Sequence, residues 1–267
     1  MTSLRHSLIL AAGFLLILPG PADARMTAAP EEAANLFAES SVEGTFVLSD
    51  PRSNESVAVN RSRAEHRFVP ASTFKITNSL IALETGAVSS VDEMLPYGGK
   101  PQPFKQWEHD MNMREAIAMS NVPVYQGVAH RVGSERMTEM LQRLDYGNGE
   151  TGEIIDRFWL DGPLGISAVE QTKFLARLAQ GTLPLTPGVQ QSVRDILLLE
   201  EKEGARLYGK TGWAFADGGG GLGWFVGWAE KDGEIRSFAL NIDMTENAQA
   251  SLRIPLAKQL LEQLGAW

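Results

Sequence analysis

Ser72 precedes Lys75 by three residues in the stretch Pro70-Ala71-Ser72-Thr73-Phe74-Lys75. The apolar-patterned run that follows carries Ile76, Leu80 and Leu83 at helical spacing and stops at Gly86. That pattern predicts a helix with Ser72 at or near its N-terminus. Side chains three apart on a helix share a face, so the hydroxyl and the amine meet without further folding. A serine in that place also lies near unpaired backbone N–H groups and the positive end of the helix. These are the needs of an acyl-transfer nucleophile: a base beside it, and donors for an oxyanion. A capping serine followed by a solvated lysine has the same spelling, so the rest of the chain must decide between the two.

The elements around this stretch divide into two kinds. Residues 25–40 are rich in Ala and Glu and predict an N-terminal helix. Thr45–Leu48 and Ser56–Val59 predict two strands joined by the turn-forming residues 50–54. Residues 89–111 hold Trp107 and several Pro and Gly, and predict mostly loop. Asn112 with Glu115 resembles a capping box, and Pro123 suits the first turn of a further helix ending near Gly133. Met137, Met140, Leu141 and Leu144 form a core-facing stripe. Ser167 with Glu170 opens a helix to about Gln180, and Pro187 opens another expected to run through Leu199. Strands follow over 206–213, 222–228 and 236–242, with Gly218–Gly221 as a turn, which favours an antiparallel meander. Residues 248–264 close the chain as an amphipathic helix.

Strands towards both ends with helices between them predict an α+β fold. The expected organisation is one domain over 25–267, with a sheet lobe of about 25–75 and 201–267 and a helical lobe of about 76–200. Residues 1–24 predict a cleaved export signal: Arg5, an apolar run from Leu8 to Leu18, and Ala22-Asp23-Ala24 as the cleavage site. The apolar run is too short to span a bilayer. Export to the periplasm, with no membrane association after cleavage, is the expectation.

Composition removes several classes of function. The net charge is −9, and it stays −9 if residues 1–24 are lost, with no basic stripe for nucleic acid. The chain has no cysteine, so disulfides and thiolate metal sites are excluded. His66, His109 and His130 show no metal-ligand spacing and no sign of a Ser-His-Asp triad, so no metal is expected.

Further short motifs follow Ser72 and Lys75 in order: Ser120-Asn121-Val122, Tyr146-Gly147-Asn148, Phe158-Trp159-Leu160, Lys210-Thr211-Gly212, Gly223–Trp228 and Asn241-Ile242-Asp243. Each is weak alone. Together, and in this order, the chain resembles the class D (oxacillinase-type) serine β-lactamases along its whole length after residue 24. The resemblance implies the β-lactamase/penicillin-binding (transpeptidase-like) fold, an antiparallel sheet flanked by terminal helices plus a mostly helical lobe. It implies β-lactam hydrolysis conferring resistance, with small β-lactams as partners, a monomer or homodimer, and no cofactor.

It also implies residue roles. Ser72 is the nucleophile, and Lys75 takes up CO₂ to become a carbamate (N6-carboxylysine) that acts as general base. Phe74, Val122, Trp159 and Leu160 line the carbamate pocket, with the Trp159 indole as donor. The backbone N–H groups of Ser72 and Trp213 form the oxyanion hole. Ser120 relays a proton to the departing nitrogen with Lys210. Lys210, Thr211, Gly212 and Arg253 bind the substrate carboxylate, and Tyr146 and Asn148 are further substrate-binding candidates. The protein and its substrate are both anionic, so binding must rest on local cations rather than on the whole-molecule field. Trp224 and Trp228 are expected in the sheet core. Gly218–Gly221 has no counterpart in the pattern. Three rival readings stand beside it: a drug-sensing receptor domain that is acylated but not released, a cell-wall D,D-peptidase, and a non-catalytic exported scaffold, which the four joined motifs argue against.

Overall fold

The structure, a computed structural model, describes residues 25–267. The expected export signal lies outside the described residues. The chain opens with β1 (Arg25–Ala28), α1 (Glu31–Glu39), β2 (Gly44–Asp50), β3 (Glu55–Val59) and α2 (Arg61–Glu65). A 3₁₀ turn over Ala71–Phe74 leads into α3 (Lys75–Glu84). Then come α4 (Met113–Ala118), α5 (Val122–Val132), α6 (Ser134–Leu144), α7 (Ala168–Ala179) and α8 (Pro187–Ile196). The chain returns through β4 (Leu198–Lys202), β5 (Ala205–Phe215), β6 (Gly221–Lys231) and β7 (Glu234–Met244) to α9 (Arg253–Gln263).

Seven strands form one sheet in the order β1-β3-β2-β7-β6-β5-β4. All neighbours are antiparallel except β1 and β3, which pair in parallel. Alternation along the strands supplies both faces with apolar side chains. Phe46, Phe225, Leu240 and Ile242 face α1 and α9, while Val47, Trp224, Val226 and Ala239 belong to the larger core shared with α3 and α7. Trp224 and Trp228 are fully buried in that larger core, as expected from the sequence.

Local signals placed most helix starts. Asn112, Asn121 and Ser167 each accept a backbone N–H three residues on, and Ser167 with Glu170 forms a full capping box. Asn112 makes only half of its box, because the Glu115 carboxylate bonds His109 instead.

Two expectations need correction. The first four residues of the 25–40 segment are a strand, and the helix starts only after Pro30. Four residues at a sheet edge carry no periodic signal of their own; pairing with β3 makes them a strand. The α8 helix ends at Ile196 rather than Leu199, and Leu198–Lys202 is an additional edge strand. Its Leu and Glu residues have good helix propensity, but pairing with β5 overrides it.

Candidate active site

Ser72 sits inside the 3₁₀ turn that precedes α3, one turn ahead of the first α-helical residue, Lys75. The turn begins with Ala71 at φ 50°, left-handed geometry unfavourable for a residue with a Cβ. Its surroundings hold it there. The Ala71 N–H donates to the Trp159 carbonyl at 2.8 Å. The Thr73 hydroxyl donates to the Pro70 carbonyl at 2.7 Å and accepts from the Gln171 amide at 2.9 Å.

From this turn Ser72 faces a cleft of about 540 Å³. Lys75 lies behind it with no exposed surface, and its Nζ donates to Ser72 Oγ at 2.8 Å. Burial pushes the Lys75 amine well below its ordinary pKa, and the nearby Lys210 charge pushes in the same direction. The expected pair is therefore formed, and the lysine is dry.

Of the four expected pocket residues, Phe74 and Trp159 are fully buried and stack on each other with ring centroids 5.3 Å apart. Val122 and Leu160 line the cleft. The Trp159 Nε1–H is buried without a hydrogen-bond partner. An orphaned buried donor is costly, and such groups mark places where an acceptor belongs.

Ser120 links α4 to α5 with φ 56°, the second non-glycine residue of the site in left-handed geometry. That bend aims its hydroxyl at β5, where Lys210 Nζ donates to Ser120 Oγ at 3.0 Å and to the Thr211 carbonyl at 2.9 Å. Burial, with repulsion from Arg253 added, brings Lys210 down to about 7. Thr211, Gly212 and Trp213 continue along the cleft wall. Gly212 is required by a close approach: a Cβ there would lie 3.0 Å from both the Pro70 carbonyl oxygen and Thr73 Cγ2. Its bare backbone lets β5 run against the turn that carries Ser72.

Arg253, the first residue of α9, also lines the cleft. Its Nε–H donates to the Ala250 carbonyl at 2.7 Å and its Nη1–H to the Gly212 carbonyl at 2.6 Å. Burial lowers it to about 10, so it keeps its charge at neutral pH. Lys210 and Arg253 thus form a local cationic corner on a protein of net charge −9.

Two expected substrate contacts fall elsewhere. Tyr146 is buried against Phe74 and Phe174, away from the cleft lining. Asn148 spends its side chain on the Pro163 carbonyl and the Gly165 N–H, shaping the loop that leads to α7. Tyr146 lies behind Phe74 rather than in front of it.

Sequence reading missed the opposite rim. Phe104 and Trp107, in edge-to-face contact at 4.8 Å, line the cleft from the long loop, and Phe215 lines it from the end of β5. Only the exposed aromatics in otherwise polar loops hinted at this. No histidine is among the cleft-lining residues, and no cluster able to hold a metal ion occurs among the described residues.

Comparison with known proteins agrees with this geometry. The penicillin binding protein transpeptidase domain family matches residues 44–262. The chain is 39% identical over 231 residues to Beta-lactamase OXA-5 of Pseudomonas aeruginosa, spanning 86% of each chain. It is 30% identical over 237 residues to Regulatory protein BlaR1 of Bacillus licheniformis, spanning 89% of this chain but 39% of that one. Among solved structures, FUS-1 (OXA-85), a class D β-lactamase of Fusobacterium nucleatum subsp. polymorphum, superposes with a TM-score of 0.85 at 42% identity, covering 89% of this chain and 98% of that one. A serine paired with a dry lysine, a second serine paired with a second lysine, and these relatives together establish that the chain belongs to the class D β-lactamases.

Proposed function

We propose that this enzyme hydrolyses β-lactams in two steps through an ester on Ser72, with Lys75 acting as its carbamate. The observation that carries the reading is the 2.8 Å contact between Ser72 Oγ and a fully buried Lys75 Nζ. In the first step Ser72 Oγ bonds to the lactam carbonyl carbon and the ring C–N bond breaks. The serine proton goes to the base at position 75, the departing nitrogen takes a proton from Ser120, which Lys210 polarises, and the base's proton then replaces the one Ser120 gave up, leaving the base free again. In the second step water attacks the ester carbon and loses a proton to the same base, the bond to Ser72 Oγ breaks, and the base returns that proton to Ser72. The backbone N–H groups of Ser72 and Trp213 hold the carbonyl oxygen as charge develops on it. Lys210, Thr211 and Arg253 hold the substrate carboxylate, and Phe104, Trp107 and Phe215 offer apolar surface to the acyl side chain.

An ordinary lysine is a poor base at neutral pH because it is protonated. Burial favours the neutral form of Lys75, and a neutral amine adds to CO₂ with loss of one proton. The product supplies an anionic oxygen base. The residues present fit such an anion: the Trp159 Nε1–H stands unpartnered in the same buried pocket. Export to the periplasm, directed by residues 1–24, is part of the same proposal, since β-lactams act on the cell wall.

The test is turnover. Purified protein lacking residues 1–24 is expected to consume many equivalents of a penicillin per active site. The match to a regulatory protein gives the alternative a specific outcome: one equivalent bound, then arrest. That result would replace hydrolysis with sensing.

A further inference from the structure

The turn Gly218–Gly221 is left without a part in the mechanism above, yet it touches the carboxylate-binding corner. All four glycines have positive φ: 88°, 104°, 71° and 111°. Gly220 is buried, and a Cβ there would lie 2.0 Å from the Met244 carbonyl oxygen. Only glycine lets the turn lie down on the end of β7. In that position the Gly220 N–H donates to Asn247 Oδ1 at 3.0 Å. The Gly220 carbonyl accepts the Trp213 Nε1–H at 2.8 Å. The face of the Trp213 ring in turn carries the Arg253 guanidinium, 5.6 Å from the ring centre.

We propose that Asn247 and Gly220 are positioning residues for the substrate carboxylate: Asn247 fixes the turn, the turn fixes the Trp213 indole, and the indole fixes Arg253. This rests on the β-lactamase reading for what Arg253 binds, but the chain of contacts stands without it. Arg253 donates to two backbone carbonyls, which sets two of its directions. The indole face supplies a third contact, with the guanidinium carbon 5.6 Å from the ring centre. A guanidinium attracted to a ring face follows that ring when it tilts. The Gly220 carbonyl accepts the Trp213 Nε1–H, while Phe215 stacks on the ring with centroids 4.4 Å apart, so the turn sets the polar end of an indole whose body is also packed. A purely structural turn would also need glycines, so stability alone does not separate the two roles.

The experiment compares wild type with Asn247→Ala and Asn247→Asp. For benzylpenicillin, Asn247→Ala is expected to raise KM about three- to tenfold while kcat stays within about twofold. For the methyl ester of benzylpenicillin, which lacks the anionic carboxylate, KM is expected to be unchanged. Equal changes for acid and ester, or no change for either, would overturn the proposal. A second readout needs no turnover: the Trp213 indole N–H resonance, assigned by its loss in Trp213→Phe. It is expected to shift in Asn247→Ala and to hold its place in Asn247→Asp, which keeps an oxygen acceptor. An indole resonance indifferent to Asn247→Ala would overturn the proposal even if the enzyme is active. If wild type turns over no β-lactam, the functional reading fails and this resonance still decides the positioning role.

Discussion

Replacing Trp159 with Phe separates the dry pocket from the chemistry it is meant to hold. The indole is fully buried, stacked on Phe74 at 5.3 Å and edge-on to Phe158 at 5.0 Å. A phenyl ring keeps most of that stacking and removes only the donor and part of one ring. For the unmodified protein two effects oppose each other. The smaller ring loses packing and leaves a cavity, at roughly 1–3 kcal/mol. Removing a buried unpaired N–H returns about 1–3 kcal/mol. The net change in stability should therefore be small. For the carbamate there is no offset, because a buried anion loses a hydrogen bond to charge worth about 1.5–3 kcal/mol. That converts to roughly 10- to 150-fold weaker capture of CO₂. The assay strips CO₂ at acidic pH, returns the enzyme to neutrality, and measures recovery of penicillin turnover against added bicarbonate. Trp159→Phe should need correspondingly more bicarbonate for half-recovery. A folded variant with an unchanged half-recovery point would refute the reasoning, since the orphaned donor would then have no acceptor to serve.

Further outcomes follow from the two lysines and the close approach at Gly212. Lys75→Met should abolish turnover yet raise thermal stability. The native lysine's pKa is held below its unfolded value, so its penalty is full at low pH and fades as pH rises towards the unfolded value. The gain measured by thermal melts should therefore shrink as pH rises towards about 10. Lys210 titrates at about 7 in the free enzyme, and its charged form is the one that attracts a carboxylate. KM for a penicillin should rise as pH goes up through that value in steady-state assays, and the penicillin methyl ester should not follow. Gly212→Ala should make β5 or the Pro70–Thr73 turn give by a few tenths of an ångström, lowering kcat/KM by up to about tenfold in steady-state assays, since a misplacement of about 1 Å can cost about 100-fold.

The fold class and the pairing of Ser72 with Lys75 were more legible than the edges of the sheet. Ser72 and Lys75 lie within one turn, so their contact is a local property readable from spacing. Ser120 and Lys210 are ninety positions apart, and only the order of motifs joined them before the fold did. Cap residues such as Ser167 announced their helices because the capping bond is local. The edge strands β1 and β4 did not announce themselves, since their state is imposed by a neighbour distant in sequence. Tyr146 and Asn148 show a different limit. The motif put both against substrate, but Tyr146 packs between Phe74 and α7 while Asn148 bonds the loop before α7, and short-range pattern carries no such information.

The bond from Lys210 to Ser120 joins a strand of the sheet to a bend between two helices. Neither half of the molecule owns a working centre by itself. A chain caught midway through folding, or one whose helical part has loosened, therefore has no attenuated version of the activity to offer. Catalytic competence becomes a report on docking: turnover should vanish once the bend between α4 and α5 loosens from β5, before the helices themselves unfold.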